Sequence, residues 1–391
     1  MATLKLTRGA EARIKAGHPW IYRTQVADLT GRWKAEEAVE IVDWSRRFLG
    51  RGFYNPRPSL CCRLLTRRDE PVDAGFFHRR LRDAFEYRQG AGLASEAYRL
   101  VWSEADGLPG LVVDRYGPVS VVQCLTLGMS RAAPAIADGL HRLFPEGRVH
   151  RSDDATAARL EGFEAEHDPP GEELVVTEGG CRFAVTPGAG HKTGLYLDQS
   201  ENRALLAHHA RGRRILDGFC YAGAFACHAL ARGSGQALLL DSSADALALA
   251  RRNLELNGLS ARAEIREGNA FDLLRGLEGA GERFGAVVLD PPPFTRRKDS
   301  LAAATRGYKE INIRGLRLLE PGGVLATFSC SHHVTPALFE EMCRDAAGDA
   351  GVAVRVLQSL GQSRDHPVLL TVPESRYLSG LLLERISYAS R

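Results

Sequence analysis

From about residue 186 onward, short apolar runs alternate with helical patterns, and this alternation constrains the fold more than any other feature of the chain. The apolar runs fall at 214–216, 237–240, 263–266, 286–289, 323–328 and 378–383, with helical periodicity between them, as at 243–257 and 307–319. Strand and helix in alternation imply an α/β domain with a mostly parallel, doubly wound sheet. A ligand of such a sheet sits beyond the carboxyl ends of its strands. The residues just past each apolar run are therefore the first place to look for chemistry.

Those positions carry a specific series of groups. After the first run comes "LDGFCYAGAF", residues 216–225, whose small residues Gly218, Ala222 and Gly223 let a ligand approach the backbone; Asp217 and Phe219 belong to the same turn. It is not G-x-G-x-x-G, which argues against a dinucleotide. The second run ends in Asp241 and Ser242, where a carboxylate can accept both hydroxyls of a ribose. The third ends near Gly268 and Asn269, whose amide can meet an adenine edge, and the fourth ends at Asp290. An acidic strand end alone is often only a helix cap, but a polar group at four consecutive strand ends suits an adenosine-containing ligand. The layout resembles that of class I S-adenosylmethionine methyltransferases, and the missing phosphate loop fits a cofactor without phosphates.

The fifth run ends in "ATFSCSHH", which places Cys330 beside the strand end that carries Asp290. Pyrimidine C5 is a poor nucleophile until something adds to C6. A thiolate is suited to that addition, and an acid near N3 stabilises the charge that results. Asp290 and Cys330 therefore make a sensible pair for cytosine C5 methylation. A competing reading comes from Asp290-Pro291-Pro292-Pro293-Phe294, since an (Asp/Asn)-Pro-Pro-aromatic loop can grip an exocyclic amine. Pro293 displaces the aromatic residue by one place, which favours the thiol route. A non-catalytic RNA-binding assembly protein is a third reading, and the intact motif set argues against it.

The rest of the chain differs in texture. Residues 1–72 read as short strands separated by turns, a small barrel, with 14 Lys/Arg against 8 Asp/Glu; the whole chain carries only +3. A basic module on a near-neutral body suits the guiding of a nucleic acid. His18, Trp20, Arg46, Arg47 and Arg51 are its RNA-contact candidates, with Trp20 also read as a core or interdomain anchor. Residues 73–185 read as a connector helix (76–89) and an α+β module: three strands, a helix at 129–144, and a hairpin turning at Gly179-Gly180. The expected domains are therefore 1–72, 73–185 and 186–391. Eight cysteines without zinc-type spacing imply reduced, mostly buried thiols and no metal site. No apolar run reaches the ~18 residues that span a bilayer, and no signal-like stretch opens the chain, so a cytoplasmic protein without a membrane partner is expected.

Several motifs in one order carry a closer likeness: "GHPWIY" (17–22), "GFYNPRPSL" (52–60), "SEADGLPGLVVDRYG" (103–117), "GHKTGLYLDQSENR" (190–203), "FCYAGAF" (219–225), "DPPPF" (290–294), "RGYKEIN" (306–312), "FSCS" (328–331) and "DHPV" (365–368). Together they resemble the ribosomal RNA large-subunit methyltransferase I family over nearly the whole length. The resemblance implies a class I Rossmann-like methyltransferase domain, preceded by a small β-barrel PUA domain and a central α+β domain. It implies S-adenosyl-L-methionine as cofactor, 23S ribosomal RNA as partner, and 5-methylcytidine as product. Cys330 would be the nucleophile and Asp290 its motif partner, while Tyr196, Gln199 and Arg203 would flank the methionine end of the cofactor. Family members can form homodimers. Two positions depart from the pattern: Asn269 stands where aspartate is usual, and Pro293 where relatives can carry lysine.

Overall fold

The computed structural model describes residues 1–35, 37–93, 95–189, 194–294, 301–331 and 333–386. Residues 190–193 of the "GHKTG" segment, the basic run at 295–298 and His332 lie outside them. The chain forms two units. The first comprises Met1–Val176, Val185–Leu197 and Arg364–Ser375; the second comprises Thr177–Ala184, Asp198–Ser363 and Arg376–Arg391.

The first unit opens with β1 (Thr3–Leu6), α1 (Glu11–Lys15), β2 (Trp20–Tyr22), β3 (Val26–Thr30), β4 (Val39–Val42), β5 (Phe48–Tyr54) and β6 (Leu60–Thr66). Its six strands form one sheet in the order β2-β6-β5-β4-β1-β3, with β1 and β4 parallel and the other pairs antiparallel. Leu4, Leu6, Ile21, Ile41 and Cys62 fill its core without measurable exposure. These are the short strands expected of residues 1–72, and β3 and α1 are the elements hardest to read from the sequence. VADLT holds one half-buried apolar residue at each end of an exposed centre, so it offers no apolar run, and α1 is only five residues long.

After α2 (Ala74–Gly90), capped by Asp73, come β7 (Ala97–Trp102), β8 (Leu111–Tyr116), β9 (Val119–Cys124), α3 (Leu127–Leu143), β10 (Arg148–Arg151) and α4 (Ala155–Glu161). The four strands pair in the order β10-β9-β8-β7, with the helices α2 and α3 packed against them over Leu81, Leu100, Val113, Met129 and Ile136. Buried Glu161 ties this module to the barrel, because Asn55 Nδ2 donates to its Oε2 at 2.8 Å and Arg63 pairs with its Oε1 at 2.9 Å. The hairpin of β11 (Leu174–Glu178) and β12 (Cys181–Val185) turns at Gly179 and Gly180, both at positive φ, as a two-residue turn requires.

The second unit carries the alternation: α5 (Ser200–His209), β13 (Ile215–Gly218), α6 (Ala224–Ala231), β14 (Ala237–Asp241), α7 (Ala244–Leu256), β15 (Ala263–Glu267), α8 (Ala270–Gly279), β16 (Phe284–Leu289), α9 (Leu301–Leu318), β17 (Leu319–Ser329), α10 (Pro336–Ala350), β18 (Val354–Leu360) and β19 (Ser379–Arg385). The sheet order is β15-β14-β13-β16-β17-β19-β18. Strands β13 to β17 are parallel, and β19 enters antiparallel between β17 and β18. All six expected strands are present. β18 is the addition, an edge strand whose Val356 and Leu357 are exposed and whose sequence therefore shows no buried alternation. The strand order reverses between β13 and β16, the point where a ligand crevice opens in such sheets.

Gly52 illustrates how closely β5 and β6 approach each other. It sits where the β5–β6 register shifts, and a Cβ added there would lie 2.2 Å from the Arg63 carbonyl oxygen, a backbone atom with little freedom to yield. Gly52→Ala should cost about 1–3 kcal/mol, read as a lower midpoint in urea unfolding followed through the barrel tryptophans.

Candidate functional site

The register of the central strands assembles the site. Gly218 at the end of β13 stands opposite Leu240 of β14 on one side and Leu289 of β16 on the other. Asp241 and Asp290 therefore follow immediately on either side of Phe219. The chain then turns through Phe219 at φ 63° and Tyr221 at φ 46°, conformations that non-glycine residues rarely adopt and that mark a constrained loop. Asp241 holds this turn: its Oδ2 accepts from Tyr221 N at 2.9 Å and its Oδ1 from Ser243 N at 3.0 Å. Gly223 caps α6 at φ 66°, and a Cβ there would meet Leu239 at 2.8 Å, so the position is closed to larger residues.

Asp217 lies beneath this edge, almost fully buried, accepting from Ala226 N at 3.0 Å. Burial, and then the neighbouring Asp290 and Asp241 carboxylates, push its pKa up to about 8. Three acids at one sheet edge, one of them held partly protonated, form a place that favours a cation. The sulfonium and ammonium groups of S-adenosylmethionine are such cations, and the Asp241 oxygens keep lone pairs for hydroxyl donors. The residues present thus fit that cofactor.

Asp290 is oriented from a second direction. Gln199 Nε2 donates to its Oδ2 at 3.0 Å, and Asn202 Nδ2 donates to Gln199 Oε1 at 2.6 Å and to the Gly361 carbonyl at 2.8 Å. Gln199 and Asn202 are both buried. Asn202 was not singled out from the sequence, although its i+3 spacing from Gln199 on a helix is the signal that could have found it. Across the β16–β17 pair, Cys330 lies with its Sγ 3.8 Å from the Pro291 carbonyl oxygen. Ser331 beside it exchanges a 2.9 Å hydrogen bond with the buried Tyr308 hydroxyl. Phe294 packs against Tyr308, ring centroids 4.6 Å apart, with Phe271 and Phe219 around it.

Of eight cysteines, only Cys330 is not buried. Burial raises the pKa of the other seven, Cys61 to about 11 and Cys124 and Cys343 to about 12, so none of those offers a ready thiolate. Cys220 and Cys227 on the cofactor turn and its helix are among them.

The remaining sequence candidates fall elsewhere. Arg203 is buried in a bidentate pair with Glu178, at 2.8 and 2.7 Å, and His228 completes the group at 3.1 Å from Glu178 Oε1. Tyr196 is half-buried in the first unit. Ser242 is exposed, and exposed Asn269 caps α8 by accepting from Phe271 N at 2.9 Å. In the first unit, buried His18 bonds Glu374 at 3.1 Å, and Trp20 donates to Glu104 at 2.8 Å. Arg51 is held by the Glu70 carbonyl and by Asp69, whereas Arg46 and Arg47 stand exposed with Trp44 at a hairpin tip. Among the described residues no cluster of metal-ligating side chains occurs and no helix is long and apolar enough to cross a membrane.

Two family models match the chain: a PUA-like domain over residues 4–67 and an S-adenosylmethionine-dependent methyltransferase over residues 121–359. Ribosomal RNA large subunit methyltransferase I of Klebsiella pneumoniae (strain 342) is 40% identical over 388 residues, covering 96% of both chains. The protein of that name from Escherichia coli O9:H4 (strain HS) is 39% identical, covering 96% of this chain and 98% of its own. The chain belongs to the ribosomal RNA large subunit methyltransferase I family. It is therefore an S-adenosylmethionine-dependent methyltransferase. A solved structure described as a methyltransferase complexed with SAH shares the fold, at TM-score 0.84 and 19% identity, over 98% of this chain and 100% of that one.

Two outcomes follow for this family member. The Glu178 carboxyl is buried, a cost that the Arg203 and His228 partners outweigh, so its pKa is lowered to about 2. Its stabilisation is present above the ordinary carboxylate pKa and is lost as pH falls toward 2. Glu178→Gln should cost about 3 kcal/mol at neutral pH, and the gap from wild type in chemical unfolding should narrow below pH ~4.5. Asp217, raised to about 8, binds a proton that a nearby cation would displace. Calorimetry of S-adenosylmethionine binding in buffers of different ionisation heat should show proton release below pH 8. Affinity should rise toward that pH, and both effects should vanish in Asp217→Asn.

Proposed function

We propose that this methyltransferase forms 5-methylcytidine in large-subunit ribosomal RNA through a covalent adduct between Cys330 and C6 of the base. The observation that carries the reading is the single half-exposed thiol set against the Asp290-Pro291 loop, 3.8 Å from its carbonyl. The names of the relatives supply the ribosomal RNA, and the PUA-like match supplies a module suited to RNA.

When bound, S-adenosylmethionine supplies an electrophilic methyl group. Cys330 adds as a thiolate to C6 and raises the electron density at C5. Asp290, acting in its protonated form, donates a hydrogen bond to N3, where negative charge develops, and Gln199 fixes the orientation of Asp290. As C5 gives its proton to a solvent water acting as base, the C5–C6 double bond re-forms, the C6–S bond breaks and Cys330 leaves as a thiolate. Asp217, Asp241 and the turn at Phe219 hold the cofactor, with Ser242, Gly223 and Asn269 along the same edge. Arg203 acts toward its methionine end from its pair with Glu178. Residues 1–72 guide the RNA, residues 73–185 form the central module and residues 186–391 carry the chemistry. The base reaches the pocket unstacked, as single-stranded or flipped nucleotides do.

The exocyclic-amine reading would use Phe294 as a stacking platform beside Asp290. Phe294 is instead packed against Tyr308, Phe271 and Phe219, which weighs against it. Incubation with labelled cofactor and ribosomal RNA from a strain lacking the protein distinguishes the two. Wild type should place label in 5-methylcytidine, Cys330→Ala should lose at least about a thousandfold, and Asp290→Asn about a hundredfold. An unimpaired Cys330→Ala, or label in any other nucleoside, would overturn the thiol route.

A further inference from the structure

β6 ends in Thr66 and runs on into Arg67 and Arg68, and α2 presents Arg79 and Arg80 soon after its start. Between them lies a cavity of about 510 Å³, lined by all four arginines above Leu65 and Phe76. That volume lies in the range of small-ligand sites. Two of the arginines are held in place. Arg79 pairs with Glu70 at 2.8 Å, and Arg80 lies over the Phe76 ring, 5.2 Å from its centroid. Gly107 lines one side at φ 67°, a conformation that favours glycine.

The other two arginines are different. Arg67 and Arg68 are exposed, and among the described residues their side chains make no hydrogen bond or ion pair. The acids along the cavity are occupied, apart from exposed Asp83. Glu70 accepts from Thr66 Oγ1 at 2.6 Å as well as from Arg79, and Glu104 accepts from Trp20 at 2.8 Å and Ser103 at 2.6 Å. Two guanidinium groups without protein partners at the border of a roomy cavity suit an anion, because guanidinium forks match phosphate oxygens.

We propose that this cleft binds the backbone of the substrate RNA, its arginines on a phosphodiester and its apolar floor under the attached nucleoside. The proposal rests on the RNA substrate proposed above and assigns part of its grip to Arg67 and Arg68. Such a contact positions the strand without reading sequence, and its strength falls with salt.

The test uses the full-length protein, fluorescence anisotropy and a fragment of 23S ribosomal RNA, between about 50 and 200 mM salt. Arg67→Gln/Arg68→Gln should bind at least tenfold more weakly and lower the slope of log affinity against log salt by about 1 to 2, as expected for two phosphate contacts. Arg344→Gln/Arg355→Gln, exposed residues of the second unit, removes the same charge and should change the slope far less. A wild-type urea midpoint followed through Trp20, Trp33 and Trp44 of the first unit shows that the cleft variant is folded. Equal slopes for the two double variants, with wild type still methylating this RNA, would overturn the cleft and leave the function standing. Absence of methyl transfer to ribosomal RNA by wild type would instead sink the functional reading on which the cleft rests.

Discussion

The site depends on one register, the parallel pairing of β13 with β14 on one side and β16 on the other. Because Gly218 faces Leu240 and Leu289 at once, three carboxylates arrive together at one sheet edge. A slip of one residue in either pair would turn a side chain to the opposite face. Buried apolar side chains oppose that slip: Leu216, Leu238, Leu240, Val287 and Leu289 are all inside the core on the strands concerned. The same hydrophobic burial that stabilises the sheet thus places Asp217, Asp241 and Asp290.

Gathering like charges has an electrostatic cost, and the structure spreads it unevenly. Asp217 is buried and holds its proton toward neutral pH, which relieves repulsion from the other two acids. Asp241 is stabilised as an acceptor by two backbone N–H groups, and Asp290 by the Gln199 amide. A cation at this edge would relieve the remaining repulsion, which is the physical basis for proposing it as the cofactor's place. The Glu178–Arg203–His228 group shows the opposite solution: a buried carboxylate kept ionised because the Arg203 guanidinium pairs with it and His228 stands within hydrogen-bond distance.

Basic charge in the first unit is also divided by its surroundings. Arg51, Arg63 and Arg99 are drawn into pairs with Asp69, Glu161 and Asp114, where they join strands to the elements around them. Arg46 and Arg47 stand exposed beside Trp44, and Arg67 and Arg68 border a cleft. A count of arginines does not separate these roles. Their partners do.

The sequence by itself determined the α/β alternation, the polar strand ends and the pairing of Cys330 with the Asp290 loop. Each is a local pattern, an apolar run followed by a group the run positions, and local patterns survive without knowledge of the fold. β3 escaped because a strand with an exposed, polar centre has no hydrophobic period to show, and β18 because a bulge after Val356 breaks the period of its largely exposed apolar residues. Only the tertiary structure decided that Gln199 meets Asp290, 91 positions away, and that Arg203 meets Glu178, 25 positions away. It likewise placed β19 between β17 and β18, and set the arginines at the end of β6 against those of α2. These are hydrogen bonds, ion pairs and strand neighbours formed when distant segments close on one another. No spacing along the chain encodes them, because their geometry exists only after the core has folded.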